Sequence, residues 1–240
     1  MAFWSKKKEP VDKVQLLSRY SRGEGGVVLL SEVPVDVEVP LWWRDLPAMD
    51  QANRVLTAVG QWGRNEHIRY EMRNTIMYLK EYCQDVEVMR VGASYYLLYS
   101  IKNRLGEMVY FVGGNPLRVK PNEAVCRLWQ KIPESVKGFY GFHDGFFDYE
   151  TATGFDPLAE LICIGDLDWG VIDQLGLEVQ VDMSASLAFL SNRSGDYLVV
   201  DTNDCENNKA VLWSSQMEPL YDQTFWDIAD EWIVIFLEAV

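Results

Sequence analysis

Apolar residues recur along this 240-residue chain at two spacings, and the changes of spacing mark out its elements. Val11, Val14 and Leu17, with Leu16 and Tyr20 alongside, fall at helical intervals and predict a short helix over 11–20. A glycine-rich turn, Arg22–Gly26, leads into a buried strand at Val27–Leu30. Between Glu32 and Val39, Val33, Val35, Val37 and Val39 alternate with Glu32, Asp36 and Glu38. Pro34 has no N–H to give to a ladder, so an edge strand or an extended arm is expected there. From Met49 to Cys83 the helical period returns in two stripes: Val55, Leu56, Val59 and Trp62, then Ile68, Met72, Ile76, Leu79 and Cys83. Gly60 and Gly63 lie between them, and each costs about 1 kcal/mol relative to alanine in a helix, which predicts a kink or break at that point. Trp42 and Trp43, on the aromatic stretch before these stripes, are expected to pack beneath a helix.

Strand spacing takes over at Glu87–Val91, Ser94–Ile101 and Glu107–Val112, the last two joined by a turn at Lys102–Gly106. Asn122 is placed to cap a helix running to Gln130. In Ile132–Gly145 a proline at a helix start is followed by Val136, Phe139, Tyr140 and His143 on one stripe, and Gly145 closes it with a residue free to take positive φ. Phe146–Pro157 is an irregular loop of aromatic and acidic residues, Leu158–Ile164 is apolar, and Trp169–Leu175 is weakly helical. Leu187–Leu190 and Tyr197–Asp201 read as strands joined through Asn192–Gly195, where Gly195 is expected in a conformation that a side chain would strain. Val211–Trp213 is a further strand, and Thr224–Ala239 a terminal helix with a broad apolar face in which Trp232 and Phe236 are expected to be almost wholly buried. The fold class is α+β: a mixed, mainly antiparallel sheet flanked by helices.

Composition adds bounds. With 48% hydrophobic and 13% aromatic residues the chain can bury a sizeable core. No apolar run approaches the ~20 residues of a membrane span. The start MAFWSKKKEP is basic but has no apolar stretch after it, unlike a secretory leader, so a cytoplasmic location is expected. Cys83, Cys126, Cys163 and Cys205 are far apart and form no C-x-x-C pair; Cys83 and Cys163 are expected as small core residues. The net charge of −14 is unevenly spread, residues 1–120 carrying +3 and residues 121–240 carrying −17. An acidic surface of that size repels nucleic acid and attracts basic proteins. The change of charge near residue 120 suggests an N-terminal region, 1–120, and a C-terminal domain, 121–240, joined by a connector short enough for one continuous sheet.

Motifs for catalysis are sparse. His67 is followed by Ile68 and belongs to no zinc motif, and His143, next to Asp144, lacks a nucleophile motif; a capping or core role is expected for it. The stretches GDLDWG (165–170) and DTNDCE (201–206) both depart from the calcium-loop pattern at its glycine and glutamate positions. No cofactor, metal site or enzymatic activity is expected.

The proline-started helix ending in Asp144–Gly145, the strand GDYLVVD (195–201), the strand KAVLW (209–213) and the aromatic terminal helix, in this order and spacing, resemble the SUKH superfamily, the fold of Smi/Knr-type proteins and many bacterial immunity proteins. The resemblance covers residues 122–240. It implies an immunity protein that binds and neutralises a cognate toxin domain, in many such systems a nuclease; the alternative it implies is a regulatory scaffold binding an endogenous protein. Either way the expected partner is a protein, basic in the toxin case, and neither a nucleic acid nor a membrane. Loops on a rigid scaffold are the usual place for binding residues. The candidate toxin contacts are therefore Asp144, Asp148, Glu150, Asp166, Asp168, Asp204 and Glu206, with Phe146, Phe147 and Tyr149 as aromatic anchors.

Overall fold

The computed structural model describes residues 12–21, 25–170, 176 and 178–239. Val11, Arg22–Glu24 and the stretch 171–175 of the weakly helical segment lie outside them, as does the basic start of the chain. Among the described residues, eleven strands form one sheet: β1 (Val27–Leu29), β2 (Cys83–Val91), β3 (Ser94–Lys102), β4 (Met108–Gly114), β5 (Phe146–Asp148), β6 (Gly154–Phe155), β8 (Ser186–Ser191), β9 (Asp196–Asp201), β10 (Lys209–Ser214) and β11 (Leu220–Thr224) side by side, with β7 (Ile162–Cys163) also on β8. Each pairing among them is antiparallel, so the α+β expectation holds and its allowance for a mixed sheet narrows to an antiparallel meander. The sheet runs through the change of charge near residue 120 by way of β4 and β5, which pair Gly113 with Phe146 and Phe111 with Asp148.

Strand alternation gives the sheet two apolar faces. Leu97, Tyr99 and Ile101 of β3, Phe111 of β4, Phe189 of β8 and Val200 of β9 point to one side and join the main core. That side is covered by α2 (Leu41–Asp45), α3 (Gln51–Arg64), α4 (Arg73–Tyr82), α5 (Glu123–Leu128), α6 (Glu134–Tyr140) and α7 (Phe225–Glu238), which contribute Trp43, Trp62, Leu79, Val125, Phe139 and Trp226 to it. Among the described residues, two patches cover the opposite side. Near β1–β4, Leu17 of α1 (Lys13–Tyr20) packs on Val27, Met89, Leu98 and Val112. Near β8–β10, Trp169 packs on Ala188, Val199, Val211 and Trp213.

Several expectations change in three dimensions. Helix α3 runs straight through Gly60 and Gly63, and the break falls at residues 65–72; Leu56 is exposed and Ala58 takes its place in the core. Glu32–Val39 forms no strand, and its turn leaves Val35 exposed while Val33, Val37 and Val39 are buried. Trp43 is fully buried and Trp42 stacks on Phe142 with ring centroids 6.1 Å apart, so both belong to the core. In α7 the buried stripe is Phe225, Trp226, Ala229, Asp230, Ile233 and Leu237. Trp232 and Phe236, expected there, lie half-exposed on its shoulder and meet each other edge-on at 5.9 Å, because the face of a 14-residue helix that touches the sheet is narrower than its apolar surface. Gly195 does adopt φ +102° in the β8–β9 turn, and β9 starts at Asp196.

Asp230 deserves its burial for a specific reason. Helix α4 starts after Met72, which has no side-chain oxygen to cap it. The Asp230 carboxylate of α7 does so instead, accepting Asn74 N–H at 2.9 Å and Thr75 N–H and Oγ1–H at 2.8 Å. Backbone donors at a helix start need such partners, and the helix dipole favours a negative charge there.

Candidate functional site

The ten candidate contacts do not form one surface. Phe146 is excluded from any: it is fully buried, edge-on to Trp62 at 5.0 Å and to Tyr99 at 5.4 Å. Alternation along β5 is the cause, turning Phe146 towards the helices and Phe147 to the opposite face. The other nine separate into two groups.

The first group gathers at the waist of the sheet, where β5 and β6 are only three and two residues long. Phe147 and Tyr149 pack beside the α1 patch, with Tyr20, Tyr96 and Tyr110 near them. Asp148 is half-buried and holds the turn after β5, its Oδ1 accepting the N–H groups of Glu150 at 3.0 Å and Thr151 at 2.7 Å. Burial raises its pKa, and these hydrogen bonds oppose the rise. Glu150 is exposed and accepts a hydrogen bond from the Tyr20 hydroxyl, which raises the pKa of Tyr20. Asp144 lies on the other side of the waist. Its Oδ1 accepts Leu158 N–H at 2.9 Å, and burial, with Glu160 close by, pushes its carboxyl up to about 6. Tyr20, Tyr96 and Glu160 were not among the expected contacts; they come from α1, β3 and the loop after β6, and no local pattern joins them.

The second group gathers where β8 and β10 begin and β9 ends. Asp182 caps the turn before β8, accepting Ser184 N–H and Oγ–H, and reaches Asn203 Nδ2 at 3.0 Å. Asp201, buried at the end of β9, accepts Asp182 N–H at 3.2 Å and Asn203 N–H at 2.9 Å. The turn Ile164–Asp166 packs against Met183, which brings Asp166 and Asp168 alongside. Asp204 and Asp222 flank Lys209 at 2.6 and 2.7 Å and raise its pKa. Asp166, Asp168, Asp182, Asp204, Glu206 and Asp222 are all exposed. Asp182, Asp222 and Lys209 were absent from the sequence expectation because their proximity depends on strand pairing.

His143 has no exposed edge. The Tyr99 hydroxyl accepts Trp62 Nε1–H at 3.1 Å and shares a hydrogen bond of 2.9 Å with His143 Nε2, while His143 Nδ1 lies buried against Gly113. Full burial pushes the ring down to about 3. A neutral, enclosed imidazole shared with Tyr99 is a structural group, in line with the core role expected of it. Cys83 and Cys163 are buried, and burial pushes the Cys83 thiol up to about 12. Among the described residues no three His, Cys, Asp or Glu side chains are grouped to hold a metal ion, and no helix is long and apolar enough to cross a membrane.

No family model matches the chain, and no curated protein or solved structure is significantly similar to it.

Proposed function

We propose that the protein is an immunity protein of the SUKH type, which binds a basic toxin domain and blocks it without doing chemistry itself. The observation that carries this reading is the acidic end of β8–β11, where Asp166, Asp168, Asp182, Asp204, Glu206 and Asp222 are all exposed and Lys209 is already shared between Asp204 and Asp222. The six exposed carboxylates outnumber the basic groups at this end, which are Lys209, Arg127 donating to Ser184 O at 3.0 Å and Lys131 donating to Asn203 Oδ1 at 2.7 Å. The excess projects a field that speeds encounter with a basic surface, and at physiological salt the field reaches about 8 Å. The four pieces behind the resemblance also pack as a unit: α6 and α7 share the face of β8–β10, where Trp226 Nε1 donates to Ser135 Oγ at 2.9 Å and Tyr140 meets Phe189 at 5.9 Å. Inhibition by steric cover needs only such a rigid platform and a charged rim.

The test starts from the locus, where this reading expects a toxin gene as neighbour, and measures association with that toxin domain at low and high salt, for wild type and for a variant with Asp166→Asn, Asp168→Asn, Asp204→Asn and Glu206→Gln. The expected result is a fall in association rate of about ten-fold or more in either high salt or the variant, with a smaller effect on dissociation. Association indifferent to both changes would sink the acidic-end mechanism.

A further inference from the structure

At the waist, a cavity of about 490 Å³ opens between the C-terminal end of α1, the turn after β5 and the last turns of α7. Leu16, Tyr110 and Phe236 give it apolar walls, and Tyr20, Asp148 and Glu150 stand at its polar side. No basic side chain of the described residues lines it. The neighbouring cleft on the Asp144 side differs: Arg118 and Lys120 are there together with Asp144 and Glu160, so its charges balance. Between the two, Arg193 is committed to the buried Asp156 carboxylate and the Ala152 carbonyl.

We propose that this cavity receives one cationic side chain, a lysine or arginine, from a protein partner; the choice of a protein rests on the immunity reading, the choice of a cation does not. The chemistry is complementary along the length of such a side chain. Its methylene stem fits the apolar walls, as long basic side chains cover apolar surface while the charged head stays at a polar rim. The head then reaches the Asp148 and Glu150 side of the cavity, an arrangement that favours a cation and repels an anion. The molecule already makes such a contact in the same neighbourhood: the Lys13 ammonium is 5.7 Å from the Tyr110 ring centroid and pairs with Glu87. The walls belong to three elements far apart in sequence, so the cavity exists only once α1 and α7 have both docked.

The experiment is a titration of the full chain, followed by amide NMR shifts, with three acetylated and amidated peptides: Gly-Gly-Arg-Gly-Gly, its lysine analogue and its neutral citrulline analogue. The arginine or lysine peptide should shift the amides of Tyr149, Glu150 and Thr151, and citrulline should bind at least five-fold more weakly. Glu150→Gln and Tyr20→Leu, both at the surface end of the cavity, should each weaken the cationic peptide by at least five-fold while leaving the rest of the spectrum unchanged. Equal binding of citrulline, or shifts confined to the Asp182–Glu206 end, would overturn the assignment. The quadruple acidic-end variant separates the two ideas: it should keep the peptide shifts, so their loss there also counts against the cavity. Toxin association indifferent to salt, with the peptide shifts intact, counts against the acidic end alone.

Discussion

The two ends of this sheet solve the same packing problem with different surfaces. At the β1–β4 end the central strands are up to nine residues long, α1 lies over the outer face, and the first 120 residues carry a charge of +3. At the β8–β11 end the strands are five or six residues long, the outer face is closed by the loop bearing Trp169, and residues 121–240 carry −17. Beneath both, one aromatic core passes without a break. The contrast teaches that charge and fold are partitioned independently here: the boundary visible in the charge is a boundary of surface, and the hydrophobic interior ignores it. What a partner can recognise therefore differs from end to end, while the stability of the two ends is shared.

The most damaging way to test that shared interior is Trp62→Ala. Trp62 belongs to the first half yet touches Phe139, Phe142, His143 and Phe146 of the second, and its indole donates to Tyr99. Truncating a buried tryptophan typically costs about 3–5 kcal/mol. Denaturant unfolding, followed by signals from each end, should show both ends losing stability together in one transition; two separated transitions would mean that the ends are independent.

Gly195→Val should act on the second end and should cost somewhat less, about 1–3 kcal/mol. The added Cβ would lie 2.0 Å from Ser215 Oγ at a residue held at φ +102°. Its measurement is the urea midpoint, and an unchanged midpoint would contradict the turn geometry.

A third variant uses the adjacent pair at the waist, whose titrations oppose each other. Asp144 is raised to about 6 from an unfolded value near 3.9, so the native state holds the extra proton between those limits and this group makes stability fall as pH rises through the window. His143 is lowered to about 3 from about 6.5, so the unfolded state binds the extra proton and this group makes stability rise with pH. Between about pH 4 and 6 the two slopes cancel. Asp144→Asn keeps an acceptor for Leu158 N–H and removes one slope. It should raise stability at pH 7.5 by about 1–2 kcal/mol, give no gain near pH 4, and leave a steeper acid loss than wild type. A constant gain at all pH values would remove the assignment to ionisation.

The smallest effect is expected at Trp232→Ala. Being half-exposed beside Phe236, Trp232 should cost about 1–2 kcal/mol, well below Trp226→Ala on the buried stripe. Thermal unfolding of the two variants side by side checks the helix's rotation, and the reverse order would place the wrong face on the sheet.

Much of this was legible in the chain itself. Apolar and aromatic runs bounded by turn residues located the β3–β4 and β8–β9 hairpins, while the one alternating stretch, Glu32–Val39, forms no strand. Asn122 announced the start of α5, and does accept Val125 N–H at 3.0 Å. Gly195 announced its turn, and Ile132–Gly145 announced a core helix, which is shorter than expected: it spans Glu134–Tyr140 with Pro133 as its cap and stops at Gly141, leaving His143 beyond its end. Those features depend on neighbours a few residues away. The charge contrast between the halves was equally plain, since it is a sum over residues and needs no geometry.

Tertiary structure decided the rest, wherever the deciding partner is distant. The cap of α4 comes from Asp230, 155 residues beyond Thr75, and no pattern around Met72 could reveal it. The apolar surface of α7 was visible, but which part of it faces the sheet depends on how the helix docks, and docking left Trp232 and Phe236 at the margin. Phe146 and Phe147 read alike as aromatic anchors until the register of β5 on β4 sent one into the core and the other to the opposite face. The site followed the same logic: seven of its carboxylates could be named one by one, but the addition of Asp182 and Asp222 and the division into an acidic end and a waist were fixed by strand pairing across the whole sheet.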